Sequence, residues 1–216
     1  MVIQPFEEHW REYDEWYDKH RALYYSELVA VELASRGVPR PWLEVGVGTG
    51  RFATPLRVDV GVDPSEAMLR VAASRGLHVI RAYGEELPFP DKSFGGVLII
   101  YTICFLDNPF QALREAFRVL ANHGKLVLGF IPSDSDWSQF YKELAIKEHR
   151  FFKYAKFYTT FQVEELLRKA GFEPELYIST LIANKPGLLE VYEDPFIGLK
   201  RSAGFVVIRA QKANKM

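Results

Sequence analysis

Between Pro41 and Ile131 the chain alternates short apolar runs with amphipathic stretches, and this alternation restricts the fold more than any other feature. PWLEVGVG, VDVGVD (Val58 to Asp63), LHVIRA and GVLIIYTI (Gly96 to Ile103) read as four strands, and KLVLGFI as a fifth. PSEAMLRVAASRG reads as a helix, with Pro64 in its first turn and Gly76 at its end. NPFQALREAFRVLANHG is the clearest helix: Asn108 caps it, Pro109 opens it, Phe110, Leu113, Phe117 and Leu120 form its stripe, and Gly124 stops it. Strands joined by helices through short loops make βα units, and hence a doubly wound α/β fold with a mainly parallel sheet covered on both faces.

The flanks follow other rules. Residues 6 to 35 read as two helices, opened by Pro5 and stopped by Gly37, with Leu28, Val31 and Ala34 at helical spacing near the end. Residues 133 to 158 mix charges with aromatics and interrupt the βα rhythm, as a helical insertion after the fifth strand would. TTFQVEELLRKAGF restores it with a capped helix. LYISTLI and FVVIRA are two strands with no helical pattern between them, which predicts an antiparallel pair at one edge of the sheet.

Composition removes several function classes. A chain of 216 residues with 48% apolar content supports one full core, burying roughly 70% of the unfolded surface. Net charge is -1, so no global field draws in nucleic acid or an anionic membrane. Cys104 is the only cysteine, which excludes an internal disulfide and a zinc cluster, and the five histidines form neither HExxH nor another metal-ligand spacing. MVIQPFEEHW lacks a basic segment followed by an apolar run, and no apolar stretch is long enough to span a bilayer. The expectation is a soluble cytoplasmic protein with no metal.

LEVGVGTGRF, Leu43 to Phe52, carries the chemistry. In doubly wound sheets ligands bind beyond the carboxyl ends of the strands, where strand order reverses. Gly46, Gly48 and Gly50 follow the first strand, where missing β-carbons let backbone approach a ligand. Asp63 ends the second strand, 19 residues after Glu44, at the distance where an acid grips ribose hydroxyls. The dinucleotide pattern fails, because Arg51 stands where the third glycine should fall and Glu44 would repel a pyrophosphate. No phosphate-cradling P-loop motif is present either. A cationic ligand without phosphates, an amino acid ammonium or a sulfonium, fits better.

Four segments, in order, resemble the motifs of class I S-adenosylmethionine-dependent methyltransferases: Glu44-Val-Gly-Val-Gly-Thr-Gly50, Gly61-Val-Asp63-Pro-Ser-Glu-Ala-Met68, Glu85 to Phe94, and Arg118 to Gly124. The resemblance covers roughly residues 40 to 131. It implies a seven-stranded sheet with an antiparallel seventh strand, S-adenosyl-L-methionine as cofactor and S-adenosyl-L-homocysteine as product. It further implies that Glu44 with the backbone of Gly46 and Gly48 holds the methionyl end, that Gly50 belongs to the same cofactor-binding turn, and that Asp63 holds the ribose, with Pro64 or Met68 nearby. Tyr83, Gly84 and Glu85 would border the adenine, and Tyr101 would lie beneath the cofactor. Three positions depart from the family: a short segment between Gly50 and Val58, Gly95 where relatives carry Asp, and Ala82 in place of a glycine.

Methyl transfer from a sulfonium needs positioning and dryness more than an acid or base, so no catalytic dyad is expected. Residues 1 to 36 form a candidate lid over a domain spanning residues 37 to 216. WREYDEWYDKHRALYY holds six aromatics in sixteen residues, which serve either core packing or closure over the site. Tyr13, Tyr17 and His149 are the candidates for acceptor contact or acid–base work. In residues 137 to 158 Glu143 and Glu148 dilute the basic charge, which argues for a substrate lid or an oligomer contact over single-stranded nucleic acid. The Asn/Asp-Pro-Pro-aromatic motif of base-methylating enzymes is absent after the fourth strand. The acceptor expected is therefore a small molecule, partly apolar or cationic, and the oligomeric state is left open. The alternatives are a non-catalytic cofactor-binding or interaction module and a nicotinamide-dependent oxidoreductase.

Overall fold

The computed structural model describes residues 3–213; the outermost residues of the two expected segments fall outside that range. The chain opens with three helices, α1 (Gln4–Glu8), α2 (Trp10–Lys19) and α3 (Arg21–Ser35), where two were expected. The breaks fall at His9 and His20, neither of which has helical backbone angles. They let α1 and α2 turn aside from the sheet while α3 packs along it.

The βα alternation follows: β1 (Trp42–Val45), α4 (Ala53–Leu56), β2 (Val60–Asp63), α5 (Glu66–Ser74), β3 (His78–Arg81), β4 (Phe94–Ile100), α6 (Pro109–Val119) and β5 (Leu120–Phe130). Then come α7 (Asp136–Ile146), α8 (Thr160–Ala170), β6 (Phe172–Thr180), β7 (Phe196–Ile197) and β8 (Phe205–Lys212). The short Gly50–Val58 segment yields only the four-residue α4. Helix α6 ends five residues before Gly124, because Leu120 leaves helical geometry and pairs with Phe94 at the start of β5. Its buried face is Ala112, Leu113 and Ala116, while Phe110 is exposed. Thr159 and Gln162 form a reciprocal capping box that starts α8, and Gly171 closes it in the left-handed region.

The strand order is β3-β2-β1-β4-β5-β8-β6-β7. The sheet is mixed and has eight strands where the family resemblance implied seven; the two-residue β7 is the addition. The expected antiparallel pair is β6 with β8, at the end of the sheet that β7 extends. β8 inserts between β5 and β6 and runs antiparallel to both. Strand order reverses between β1 and β4, which places the glycine turn after β1 at the crevice between them.

Period-two alternation divides the core. Val97 and Ile99 of β4 join Leu113, Ala116 and Leu167 on one face, and Leu98 and Ile100 join Leu23, Val31 and Phe205 on the other. Gly95 has a packing reason for departing from the family: a β-carbon there would stand 2.4 Å from the Pro39 carbonyl oxygen. The segment leading into β1 occupies the space a side chain would need.

Candidate functional site

A cavity of about 570 Å³ opens beyond the carboxyl ends of β1, β2 and β4, within the range of about 300–1,000 Å³ usual for small-molecule sites. Gly46, Gly48, Asp63, Pro64, Met68 and Tyr101 line it, so the sheet gathers six of the eleven expected cofactor residues on one wall. Tyr13, Tyr17 and His149 line it as well, from α2 and from the segment after α7. Glu44, Gly50 and the Tyr83–Glu85 stretch do not.

The glycine turn is built from backbone that side chains would distort. Gly46, Gly48 and Gly50 take φ of 74°, 52° and 82°, the left-handed region that favours glycine. The Gly46 and Val47 amides donate to the Val62 carbonyl, fixing the turn against β2. Asp63 then accepts from the Gly48 amide at 3.0 Å and the Ser65 amide at 2.9 Å. Burial pushes its carboxyl up to about 6, against those two amide bonds and aided by the nearby Glu7. Glu44 sits on β1, 2% exposed, with its Oε2 lacking any hydrogen-bond partner. Burial, and then Asp63, push it well above the usual carboxylate range. Two buried acids beside bare backbone, one with an unsatisfied oxygen, form a site that a cation completes. The donor set thus fits the methionyl ammonium of S-adenosylmethionine.

Glu85 has two separate environments. Its Oε1 accepts from the amides of Asp107 and Asn108 at 3.1 and 3.4 Å, supporting the start of α6, and its Oε2 is buried without a partner. Tyr83 is 46% exposed, and so offers an open face. Cys104 donates its Sγ–H to the Tyr101 carbonyl, and burial raises its thiol to about 12, which disfavours the thiolate. Burial lowers the His149 pKa below the ordinary imidazole value, with nearby Glu12 opposing it.

The remaining wall is aromatic and comes from the chain's two irregular segments. Tyr13 lies against the glycine turn, with its ring 3.6 Å from where a Gly48 β-carbon would stand, and its hydroxyl is 2.9 Å from that of Tyr17. Trp137 and Tyr141 of α7 and Phe151 and Phe152 beyond it face the same space. Helix α1 is pinned to α5 through Glu7, which accepts from Ser65 Oγ at 2.6 Å and from the Ala67 amide. Helix α2 is pinned through Asp14, which takes both Arg51 and Arg75. Tyr101 has a left-handed backbone at φ 59°, an unfavourable conformation for a bulky residue that marks sites where geometry is imposed.

Sequence reasoning missed three residues here. Asp14 and Glu7 lie in a polar stretch and give no signal. Glu27 does give one: it falls four residues after Leu23 and four before Val31, on the buried stripe of α3. An acid in that register is buried, and Glu27 is 2% exposed.

Comparison with known proteins agrees with this geometry. The profile of the methyltransferase domain family matches residues 43–128. A solved structure from Thermotoga maritima, described as a SAM-dependent methyltransferase and possible histamine N-methyltransferase, is 40% identical, with a TM-score of 0.89 over 97% of this chain and 98% of that one. An uncharacterised protein of Methanocaldococcus jannaschii is 39% identical over 97% of this chain and its own full length. The demethylmenaquinone methyltransferase of Thermus thermophilus is 37% identical across 46% of this chain and 50% of that protein. The chain belongs to the class I S-adenosylmethionine-dependent methyltransferases, and S-adenosylmethionine is its cofactor.

Proposed function

We propose that this methyltransferase acts on a small molecule with a largely apolar body, enclosed beneath two aromatic lids. Buried Glu44, whose Oε2 has no partner, beneath a glycine turn whose Gly46 and Gly48 line an aromatic cavity, carries the reading. Bound there, the cofactor supplies a methyl group on a positively charged sulfur that departs as a neutral thioether.

The chain's own residues do the rest. Glu44 takes the methionyl ammonium, and the bare backbone at Gly46 and Gly48 lies alongside. Asp63, already fixed by two amides, accepts from the ribose hydroxyls through its remaining lone pairs. Met68 and Pro64 give the sugar and base an apolar flank, and Glu85 Oε2 waits at the adenine end beside Tyr83 and Gly84. Gly50 shapes the turn.

Helices α1 and α2 and residues 133–158 act as the lids. Closure excludes water and holds the acceptor in line with the methyl group, which is where the rate enhancement of such a transfer originates. Histamine, named in the Thermotoga relative's description, is of the size class this space admits.

Calorimetric titration with S-adenosylmethionine and S-adenosylhomocysteine, followed by a methyl-label screen of small molecules, tests the proposal. Expected are saturable binding near one per chain and label in a small-molecule product. Label appearing only in protein or RNA would overturn it.

A further inference from the structure

The loop before β7, β7 itself and the turn after it leave a run of apolar side chains in solvent. Leu188, Leu189, Val191, Phe196, Ile197 and Leu199 are all exposed, Leu189 by 88% and Ile197 by 63%. Apolar side chains exposed together in this way mark an association surface.

Strand β7 also ends the sheet. Ile178 of β6 faces Ile197, Ser179 faces Phe196, and the Gly198 amide donates to the Tyr177 carbonyl at 2.7 Å. Bonded residues alternate along an antiparallel ladder, so Phe196 and Gly198 turn their polar backbone toward β6, and Ile197 turns its N–H and C=O outward. An outward pair of this kind is a template for another strand. Pro195, the preceding residue of the same parity, has no N–H. The bare edge is therefore short and centred on Ile197.

The charges around that centre identify the occupant. Asp194 stands three residues before Ile197 and Lys200 three residues after it, followed by Arg201. All three are exposed, and none forms an ion pair among the described residues. Asp194 accepts from the Tyr192 hydroxyl at 2.9 Å, and the Lys200 ammonium lies 4.4 Å from the centre of the Phe196 ring. In an antiparallel pair about a two-fold axis, each residue meets the one equally far beyond the centre. With the axis at Ile197, Asp194 of each copy meets Lys200 of the other, so the pattern is complementary to itself. An anionic membrane would require an excess of cations, whereas Glu190, Glu193 and Asp194 outnumber Lys200 and Arg201.

We infer that this face is a homodimer interface, in which a second copy of the chain pairs with β7 edge to edge about Ile197. The Ile197 N–H of each copy donates to the Ile197 carbonyl of the other, and two Asp194–Lys200 pairs flank them. Two hydrogen bonds do not hold a dimer, and Leu188, Leu189, Val191 and Leu199 supply the apolar area around them. Leu188 and Glu190 also line the cofactor cavity, so the second copy rests beside one wall of the site. Nothing in this contact depends on which acceptor is methylated.

Sedimentation velocity from about 1 to about 100 μM, the range of the weaker specific interfaces, tests the contact with wild type, Ile197→Lys, Asp194→Lys and Lys200→Asp. Wild type should pass from one chain to two as concentration rises. Ile197→Lys, which sets two ammonium groups together on the axis, should stay monomeric throughout. Asp194→Lys and Lys200→Asp should each weaken self-association at least about tenfold, because like charges then face each other. Mixed in equal amounts, those two variants should dimerise as wild type does, since each then meets its opposite charge. That rescue reads the Asp194–Lys200 contact itself, and a merely unfolding substitution would not give it. Wild type that stays monomeric at the top of the range, a dimer unmoved by Ile197→Lys, or folded charge variants that fail to re-associate on mixing would overturn the inference. A monomer that floats with phosphatidylserine vesicles would overturn it in favour of a membrane contact.

Discussion

Arg51 grips Asp14 along one edge of its guanidinium, Nε to Oδ1 at 2.8 Å and Nη2 to Oδ2 at 2.7 Å. Arg75 takes the same two oxygens at 2.9 and 2.8 Å. One carboxylate therefore ties α2 to the glycine turn and to the end of α5. Burial would raise Asp14, but the bonds from Arg75 and Arg51 outweigh it and hold the group well below the usual carboxylate range. The folded pKa lies under the unfolded one, so the stabilisation is complete above about pH 4 and fades as pH falls further. Asp14→Asn should cost about 2 kcal/mol at pH 7, and the gap to wild type should narrow in acid. Urea unfolding at pH 7 and pH 3 checks both points.

Asp63→Ala should weaken S-adenosylmethionine binding by about 1–3 kcal/mol through lost charge-assisted hydrogen bonds. The ionised form is the acceptor, and its pKa is raised to about 6. Wild-type affinity should accordingly fall as pH drops through that value, and the variant's should not. Calorimetry between pH 5 and pH 8 reads both effects, and equal affinities with the fold intact would remove Asp63 from the ribose.

Glu44→Gln should separate stability from binding. Burial raises the Glu44 pKa in the folded state, so the folded chain holds a proton the unfolded chain has lost. Stability then declines as pH rises from the unfolded value, about 4.3, toward the folded one. Removing the titration should make the free protein more stable at pH 7, while the rise in Tm on adding cofactor shrinks. Thermal unfolding with and without S-adenosylmethionine gives the two numbers, and a variant that loses stability without cofactor contradicts the argument.

Gly95→Ala places its methyl against the Pro39 carbonyl oxygen. Backbone cannot yield as a side-chain tip can, and overpacking of this kind costs about 1–3 kcal/mol. The loss should appear in denaturant unfolding and leave cofactor affinity unchanged, because Gly95 does not line the cavity.

The parallel half of the sheet and its binding turn were legible because local rules agree there. Asn108 does cap α6, accepting from the Gln111 amide at 3.0 Å, and the glycines after β1 do take left-handed backbone. Helix length was less legible: Leu120 continues the apolar stripe, yet pairing with Phe94 draws it into the sheet. The sequence has no grammar for such tertiary competition. The contacts of α1 and α2 were hidden for a related reason. Glu7 reaches Ser65 and Asp14 reaches Arg51 across 58 and 37 residues, and a surface acid reads the same whether or not it is paired. Glu27 differed, since its register alone placed it inside.

The place of β8 also sets an order of assembly. β6 pairs with β8 along its length and otherwise only with the two-residue β7. While the chain emerges from the ribosome, β1 to β5 can zip together as each helix follows its strand. β6 must wait, with one edge bare, until Phe205–Lys212 has been made and slides in beside β5. The sheet is closed by insertion, so β8 completes both neighbours in one event, and until it does β6 keeps a bare edge open to mispairing.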